Sequence, residues 1–298
     1  MNIENKITKN KNILCVLSDK EAVLSEELQY LMENFCGKVV SNLAEIQESF
    51  SEKRIYVCGD IDKLKNDTHS FYIIKELSCN YENCDKENIQ LTNLGKVPII
   101  IENAGVYFRG LFNDDDYFRK IEMEHEFQHL TESNKQGKAL RKGIYLSKVS
   151  KEETAEKKEI LRYHLLRCSS NLTGPTDNFR ETDHKIMTVL NDVIKYVFEN
   201  ETSLNHVLAQ IYQNVKKTGV KAKETKARIK AHSDKTKDMS KDGLIVFCTF
   251  YDAANFQNLK LSDTDRYDWC YKKRSGLTRL HFKLKKSVNE ETLAKEFT

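Results

Sequence analysis

Ile186, Val189, Leu190, Val193, Ile194, Val197 and Phe198 recur at the three-, four-, seven- and eight-residue spacing that lines one face of an α-helix. Beyond them the apolar period shortens to that of a strand. Residues 207–212 (VLAQIY), 227–234 (ARIKAHSD), 244–251 (LIVFCTFY) and 277–285 (LTRLHFKLK) read as strands, the second and the last alternating. One amphipathic helix followed by successive strands predicts a helix packed on a β-sandwich or barrel. The apolar stripe itself is core, not chemistry.

Ahead of that helix the pattern differs. Residues 13–18, 54–58 and 97–101 read as short buried strands, and residues 21–35 and 43–50 have helical spacing. Residues 1–110 are therefore expected to form a small α/β unit. Residues 111–160 are polar, with a helix predicted over residues 116–130 and a charge run at residues 150–160 that reads as a loop or a solvated helix. Residues 162–168 read as a strand, and Gly174-Pro175 marks a turn. The expected class is α+β, with residues 161–298 as the second folded part. Neither GxGxxG nor GxxxxGK[ST] occurs, so no phosphate-cradling loop is indicated.

Composition narrows the function classes. With 39% apolar residues, 14 Phe and 13 Tyr, a wholly disordered chain is excluded despite the 31% charged fraction. No apolar run approaches the roughly 18 residues of a membrane span, so no membrane partner is expected. The first residues lack the apolar core and cleavage site of a secretory signal. Eight cysteines lie scattered, most in apolar contexts such as ILCVL, IYVCG and VFCTF. They read as buried thiols of an intracellular, reducing compartment, cytoplasmic or nuclear.

The net charge of +3 conceals an asymmetry, because residues 216–298 carry +9 and the remainder −6. Two basic clusters account for it, at residues 216–241 and 272–286. Such a distribution suits an anionic partner, a nucleic acid or another anionic substrate. Tyr267, Trp269 and Tyr271 alternate ahead of the second cluster, where they could stack on bases. A non-enzymatic nucleic-acid-binding protein is thus one reading of the second half.

Two patterns carry metal-ligand chemistry. His125-Glu126-Phe127-Gln128-His129 is an HExxH, which on a helix places two imidazoles on one face for zinc, with the glutamate as base. Glu152 or Glu153 would be its third ligand, and a zinc metalloprotease is the function it implies. The second pattern is His232-Ser233-Asp234. Strand alternation puts His232 and Asp234 on one face, two members of a 2-His-1-carboxylate iron site.

The surroundings of that HxD resemble the iron- and 2-oxoglutarate-dependent dioxygenases of the alkylation-repair, AlkB-like type. Gln210-Ile211-Tyr212, a basic loop, HSDKTKD and the apolar LIVFCTFY follow the family's order over roughly residues 165–298. The resemblance implies a double-stranded β-helix (jelly-roll), with Fe(II) and 2-oxoglutarate as cofactors and hydroxylation or oxidative demethylation as the reaction. By it, His232 and Asp234 are metal ligands and Tyr212 hydrogen-bonds the 2-oxoglutarate carboxylate. Gln210 stands where the family has Asn, keeping the amide on a longer arm. The family also needs a distal histidine and, later, a basic residue for the far carboxylate. Downstream of His232 the sequence has His281, 49 residues on, and then Lys283, Lys285, Lys286 and Lys295 but no Arg. Either His281 and a lysine substitute, or the polypeptide is truncated before its active site is complete; truncation is the expectation.

Overall fold

The computed structural model describes residues 6–17, 24–46, 52–64, 69–83, 87–101, 105–112, 116–131, 138–154, 158–165, 174–216, 224–225, 227–229, 232, 239, 243–277 and 280–281. Among them strands predominate over helices, a mixed α and β chain.

The front of the chain builds a five-stranded parallel sheet. Its strands are β1 (Asn12–Leu17), β2 (Lys38–Val40), β3 (Arg54–Asp60), β4 (Phe71–Cys79) and β5 (Ile89–Thr92), in the order β2-β1-β3-β4-β5. All six residues of β1 are buried, as a parallel strand covered on both faces requires. Alternation divides the core in two. Ile13, Cys15, Ile55, Val57, Phe71 and Ile73 fill one side. Leu14, Val16, Tyr56 and Ile74 fill the other with Leu28 and Leu31 of helix α1 (Glu26–Asn34). Ser25 caps α1 by accepting from the Leu28 N–H, and Glu26 and Glu27 complement its N-terminal dipole.

The strands expected at residues 13–18 and 54–58 are β1 and β3. The one expected at residues 97–101 becomes β6 (Ile99–Ile101), which leaves the main sheet and pairs with β7 (Gly105–Tyr107). The register between β3 and β4 shifts between Val57 and Gly59, and Gly59 has φ 98°. A Cβ there would lie 2.4 Å from the Leu17 carbonyl oxygen, so glycine alone fits this approach of β3 to β1.

The second group of strands surrounds a long central one. Helix α2 (Tyr117–Glu124) leads into β8 (Gln128–Thr131), β9 (Lys138–Ser147) and a hairpin of β10 (Val149–Glu153) with β11 (Glu159–Tyr163). Then come β12 (Asp177–Asn178), helix α3 (Glu181–Val197) and β13 (His206–Tyr212). In the second sheet β9 lies between β13, antiparallel to it, and β12 and β8. Three short pieces follow: β14 (Val215–Lys216) with β15 (Glu224–Thr225), and the meander β16 (Lys260–Leu261), β17 (Trp269–Tyr271) and β18 (Arg274–Ser275).

Several expectations change here. The helix predicted over residues 116–130 stops at Glu124, and residues 128–131 are strand. The charge run at residues 150–160 enters a hairpin, with Lys151–Glu159 at 3.1 Å and Arg162–Glu152 at 2.9 Å across it. Residues 244–251, expected as a buried strand, are not in a sheet, and Ile245, Val246 and Phe247 are exposed. An apolar run supplies side chains, but a strand also needs a neighbouring strand with which to share a ladder of hydrogen bonds. Residues 227–229 form no strand, and most of the segments 230–242 and 277–285 fall outside the described residues. Cys15, Cys36 and Cys58 are buried as expected, whereas Cys79 and Cys248 are exposed.

Helix α3 bears on both sheets. Its stripe is buried at Ile186, Leu190, Val193, Ile194 and Val197, as its spacing predicts. Near its start, Phe179 and Met187 join Ile144, Leu146, Val207 and Ala209 of the second sheet. At its end, the Lys11 ammonium donates to the carbonyls of Lys195, Phe198 and Glu199, complementing the negative helix terminus. Fully buried Asn12 donates to the Cys36 and Tyr196 carbonyls, and Arg54 pairs with Asp192 at 2.7 Å while lying 4.1 Å from the centre of the Tyr196 ring. No helix among the described residues is long and apolar enough to cross a membrane.

Candidate functional site

Two groups of polar side chains stand out, one on the second sheet and one beneath α3. In the sheet, Leu146 pairs with Val207 and Ile144 with Ala209, and this face packs on Phe179 and Met187. Strand alternation sends Arg141, Gln210 and Tyr212 to the opposite face. There they form a connected group. Arg141 Nη1 donates to Gln210 Oε1 at 3.0 Å, and the Tyr212 hydroxyl donates to the same oxygen at 3.3 Å. The guanidinium lies 5.8 Å from the centre of the Tyr212 ring. With its oxygen accepting from both donors, Gln210 has its amide NH2 left as a donor group. A guanidinium, an amide N–H and a phenol side by side are the donor set of a carboxylate receptor.

Gln210 and Tyr212, singled out in the sequence, are thus brought together. The two expected metal ligands are not described as a pair. His232 is exposed and belongs to no helix or strand, and Asp234 lies outside the described residues. His281 is exposed as well, and the downstream lysines lie outside the described residues.

The HExxH residues do not share a helix face. His125 is the C-cap of α2, and His129 lies in β8 opposite Lys142. The i, i+4 geometry that a zinc helix requires is therefore absent, because the chain turns extended at His125. Glu152 and Glu153, in β10, are exposed.

His125 instead serves a different arrangement. Its side chain is fully buried, with Nδ1 3.2 Å from Asp177 Oδ2 and Nε2 2.8 Å from Asp183 Oδ2. Ionised carboxylates only accept, so with Asp177 and Asp183 both ionised the two ring nitrogens both donate, which favours the imidazolium. Burial opposes that charge, but the hydrogen bonds and charges of Asp183 and then Asp177 outweigh it and raise the pKa above the ordinary value. Burial also raises the Asp177 carboxyl; the Asn178 N–H, His125 and Arg180 pull it further down, to a net value below the usual range. Asp183 accepts from the Arg180 backbone N–H at the start of α3, and Glu124 accepts from the Thr182 N–H and hydroxyl. The group ties the end of α2, β12 and the start of α3 together.

Glu124, His125 and Asp183 place ligand-type atoms within 4.8 Å of one another, a set that could hold a metal ion. Each ring nitrogen is already engaged by a carboxylate, and a metal would have to displace one of these hydrogen bonds and a proton. The geometry favours an internal ion-pair cluster.

Of the three alternating aromatics, Trp269 packs 5.0 Å from the Phe256 ring. Tyr267 lies against Gly95, with the Arg109 guanidinium 5.6 Å from its ring. Tyr271 is exposed, beside the turn at Lys272 and Lys273. Two of the three expected stacking platforms are engaged within the chain.

Arg141, Asp177 and Asp183 were not anticipated from the sequence. Arg141 is 69 residues from Gln210, and only the β9–β13 register joins them. For Asp183 a signal existed, an acidic residue in the first turn of the clearest helix. Comparisons with protein-family models, with curated proteins and with solved structures find no match for this chain.

Proposed function

We propose that this protein is an Fe(II)- and 2-oxoglutarate-dependent dioxygenase-like protein of the AlkB-like type, acting by hydroxylation or oxidative demethylation, or a degenerate copy that retains cofactor binding alone. The observation that carries this reading is the pairing of Gln210 and Tyr212 on the face of the second sheet turned away from α3. A helix on one face and polar donors on the other suit the proposed jelly-roll, whose sheet would also take in β9 (Lys138–Ser147), ahead of residue 161. The Gln210 amide N–H groups suit a carboxylate ligand, and the single Tyr212 hydroxyl proton would turn from Gln210 Oε1 to the ligand.

In this reading Tyr212 donates its hydroxyl proton to a 2-oxoglutarate carboxylate, and Gln210 adds an amide N–H. His232 and Asp234 would hold the metal. When bound, Fe(II) and 2-oxoglutarate would activate dioxygen, the oxidant of the reaction, with the oxoacid decarboxylated to succinate. The basic segment 216–298, net +9, would draw an anionic substrate such as a nucleic acid.

Titration of the full chain with Fe(II) and 2-oxoglutarate under argon, followed by a succinate-release assay in air, tests the proposal. The expected result is Fe(II) binding that depends on 2-oxoglutarate and is lost in His232→Ala. Binding without succinate identifies the degenerate form. Absence of binding in the wild type, or its persistence in His232→Ala, overturns the reading.

A further inference from the structure

We propose that the buried cluster between α2 and α3 binds one divalent cation of the zinc type, held by Glu124, His125 and Asp183, in exchange for the proton on His125 Nε2. The inference is independent of the dioxygenase-like reading and uses none of its residues. Each of the three side chains offers one ligand-type atom, and these atoms lie within 4.8 Å of one another. One imidazole and two carboxylates are donors that a zinc-type cation takes.

A fourth residue, outside the ligand trio, orients the ring. Asp177 Oδ2 lies 3.2 Å from His125 Nδ1, and Asp177 is itself paired with Arg180 at 3.1 Å. A carboxylate on one ring nitrogen fixes the tautomer that offers the other nitrogen to a metal. That other nitrogen, Nε2, faces Asp183 Oδ2 at 2.8 Å. The first turn of α3 holds both carboxylate ligands: Asp183 accepts from the Arg180 N–H, and Glu124 from the Thr182 N–H and hydroxyl. Departure of the Nε2 proton to solvent frees a lone pair on Asp183 Oδ2, and each Glu124 oxygen has a second lone pair to give.

Charge and distance both suit the exchange. Glu124, Asp177 and Asp183 face one imidazolium and the Arg180 guanidinium, so the metal-free cluster carries one negative charge in excess around a fully buried ring. A dication in place of the proton makes it neutral, which a low-dielectric interior favours. Two ligands about 2.1 Å from one zinc-type ion at a tetrahedral angle stand about 3.4 Å apart. His125 and Asp183 would separate from 2.8 Å by about half an ångström, and Glu124 would close in from 4.8 Å at most. Both movements are within side-chain reach. A water on the side of Glu124, which is only half-buried, completes four-coordination. The cation thereby clamps the end of α2 to the start of α3.

The test is zinc titration of the metal-stripped full chain by calorimetry, in two buffers of different ionisation heat so that released protons are counted. Wild type is expected to bind one Zn(II) at this site with release of about one proton near neutral pH, and to melt higher with zinc than without. Glu124→Gln keeps the His125–Asp183 pair and an acceptor for the Thr182 N–H, so its metal-free form should melt close to wild type while zinc affinity falls about 10- to 100-fold. Asp177→Asn keeps all three ligands and should weaken zinc about 10-fold. His232→Ala should leave this binding unchanged, which separates the cluster from the proposed iron ligand. Absence of zinc binding in wild type overturns the proposal. Equal affinity and proton release in Glu124→Gln, or loss of the binding in His232→Ala, overturns it as well.

Discussion

Tyr212 on β13 faces Arg141 on β9 in antiparallel register, with the guanidinium 5.8 Å from the centre of the phenol ring and both side chains hydrogen-bonded to one oxygen of Gln210. The contact joins a residue legible in the sequence to one that was not.

Tyr212→Phe removes the hydroxyl and leaves the ring over Arg141. With Tyr212 41% exposed, the stability cost should stay below about 1 kcal/mol. Under the dioxygenase-like function proposed above, affinity for 2-oxoglutarate should fall about 10-fold by loss of one hydrogen bond to a charged group. Denaturant unfolding alongside oxoacid titration separates the two effects; a large stability loss with unchanged affinity would make Tyr212 a packing residue only.

His125→Gln should destabilise the fold by about 3 kcal/mol near neutral pH, because Asp183, with a side chain 6% exposed, loses its cation. The pH dependence has a definite sign. The folded pKa of His125 lies above its unfolded value of 6.5, so the ion-pair contribution is complete below about pH 6.5 and fades as pH rises through the folded value. The stability gap between wild type and His125→Gln is therefore expected to narrow with rising pH. Asp177 acts at the other end: its lowered pKa contributes stability above the usual 3.8 that is lost as pH falls through the folded value. Urea midpoints from about pH 2 to about pH 9 check both; a gap that widens in alkali contradicts the imidazolium assignment.

Gly59→Ala puts a methyl group 2.4 Å from the Leu17 carbonyl at φ 98°. Relief requires β3 to move away from β1 in the middle of the parallel sheet. A loss of about 2 kcal/mol or more is expected from strain and clash together. Gly105→Ala, where a Cβ meets nothing within 4 Å, serves as the control and should be near neutral.

The cysteines should react in two classes. Cys79 is exposed, while burial pushes the thiols of Cys15, Cys36 and Cys58 up to about 12. Iodoacetamide labelling read peptide by peptide should modify Cys79 in the native protein and the other three only after urea. Native modification of Cys58, at the centre of the parallel sheet, would show that the sheet opens readily.

Much of the fold was legible because burial on one side leaves a period in the sequence. The stripe on α3 and the apolar runs of β1, β3 and β13 are read directly from residue spacing. The strand β4 (FYIIKELSC) was missed because its second half turns polar as burial falls away along it. The helix predicted across the HExxH failed because the extended backbone at His125 lets its ring reach two aspartates, 52 and 58 residues away. Spacing along the chain holds no information about partners that distant.

By itself, then, the sequence determined which segments are apolar enough to be core, where the charge collects, and that Gln210 and Tyr212 share a face of one strand. Tertiary structure decided what those residues meet. It gave Gln210 and Tyr212 an arginine from another strand, and it turned a zinc-like motif into a buried ion-pair cluster. The physical reason is the same in both cases: hydrogen bonds and ion pairs act over a few ångströms, and only folding sets which distant residues come that close.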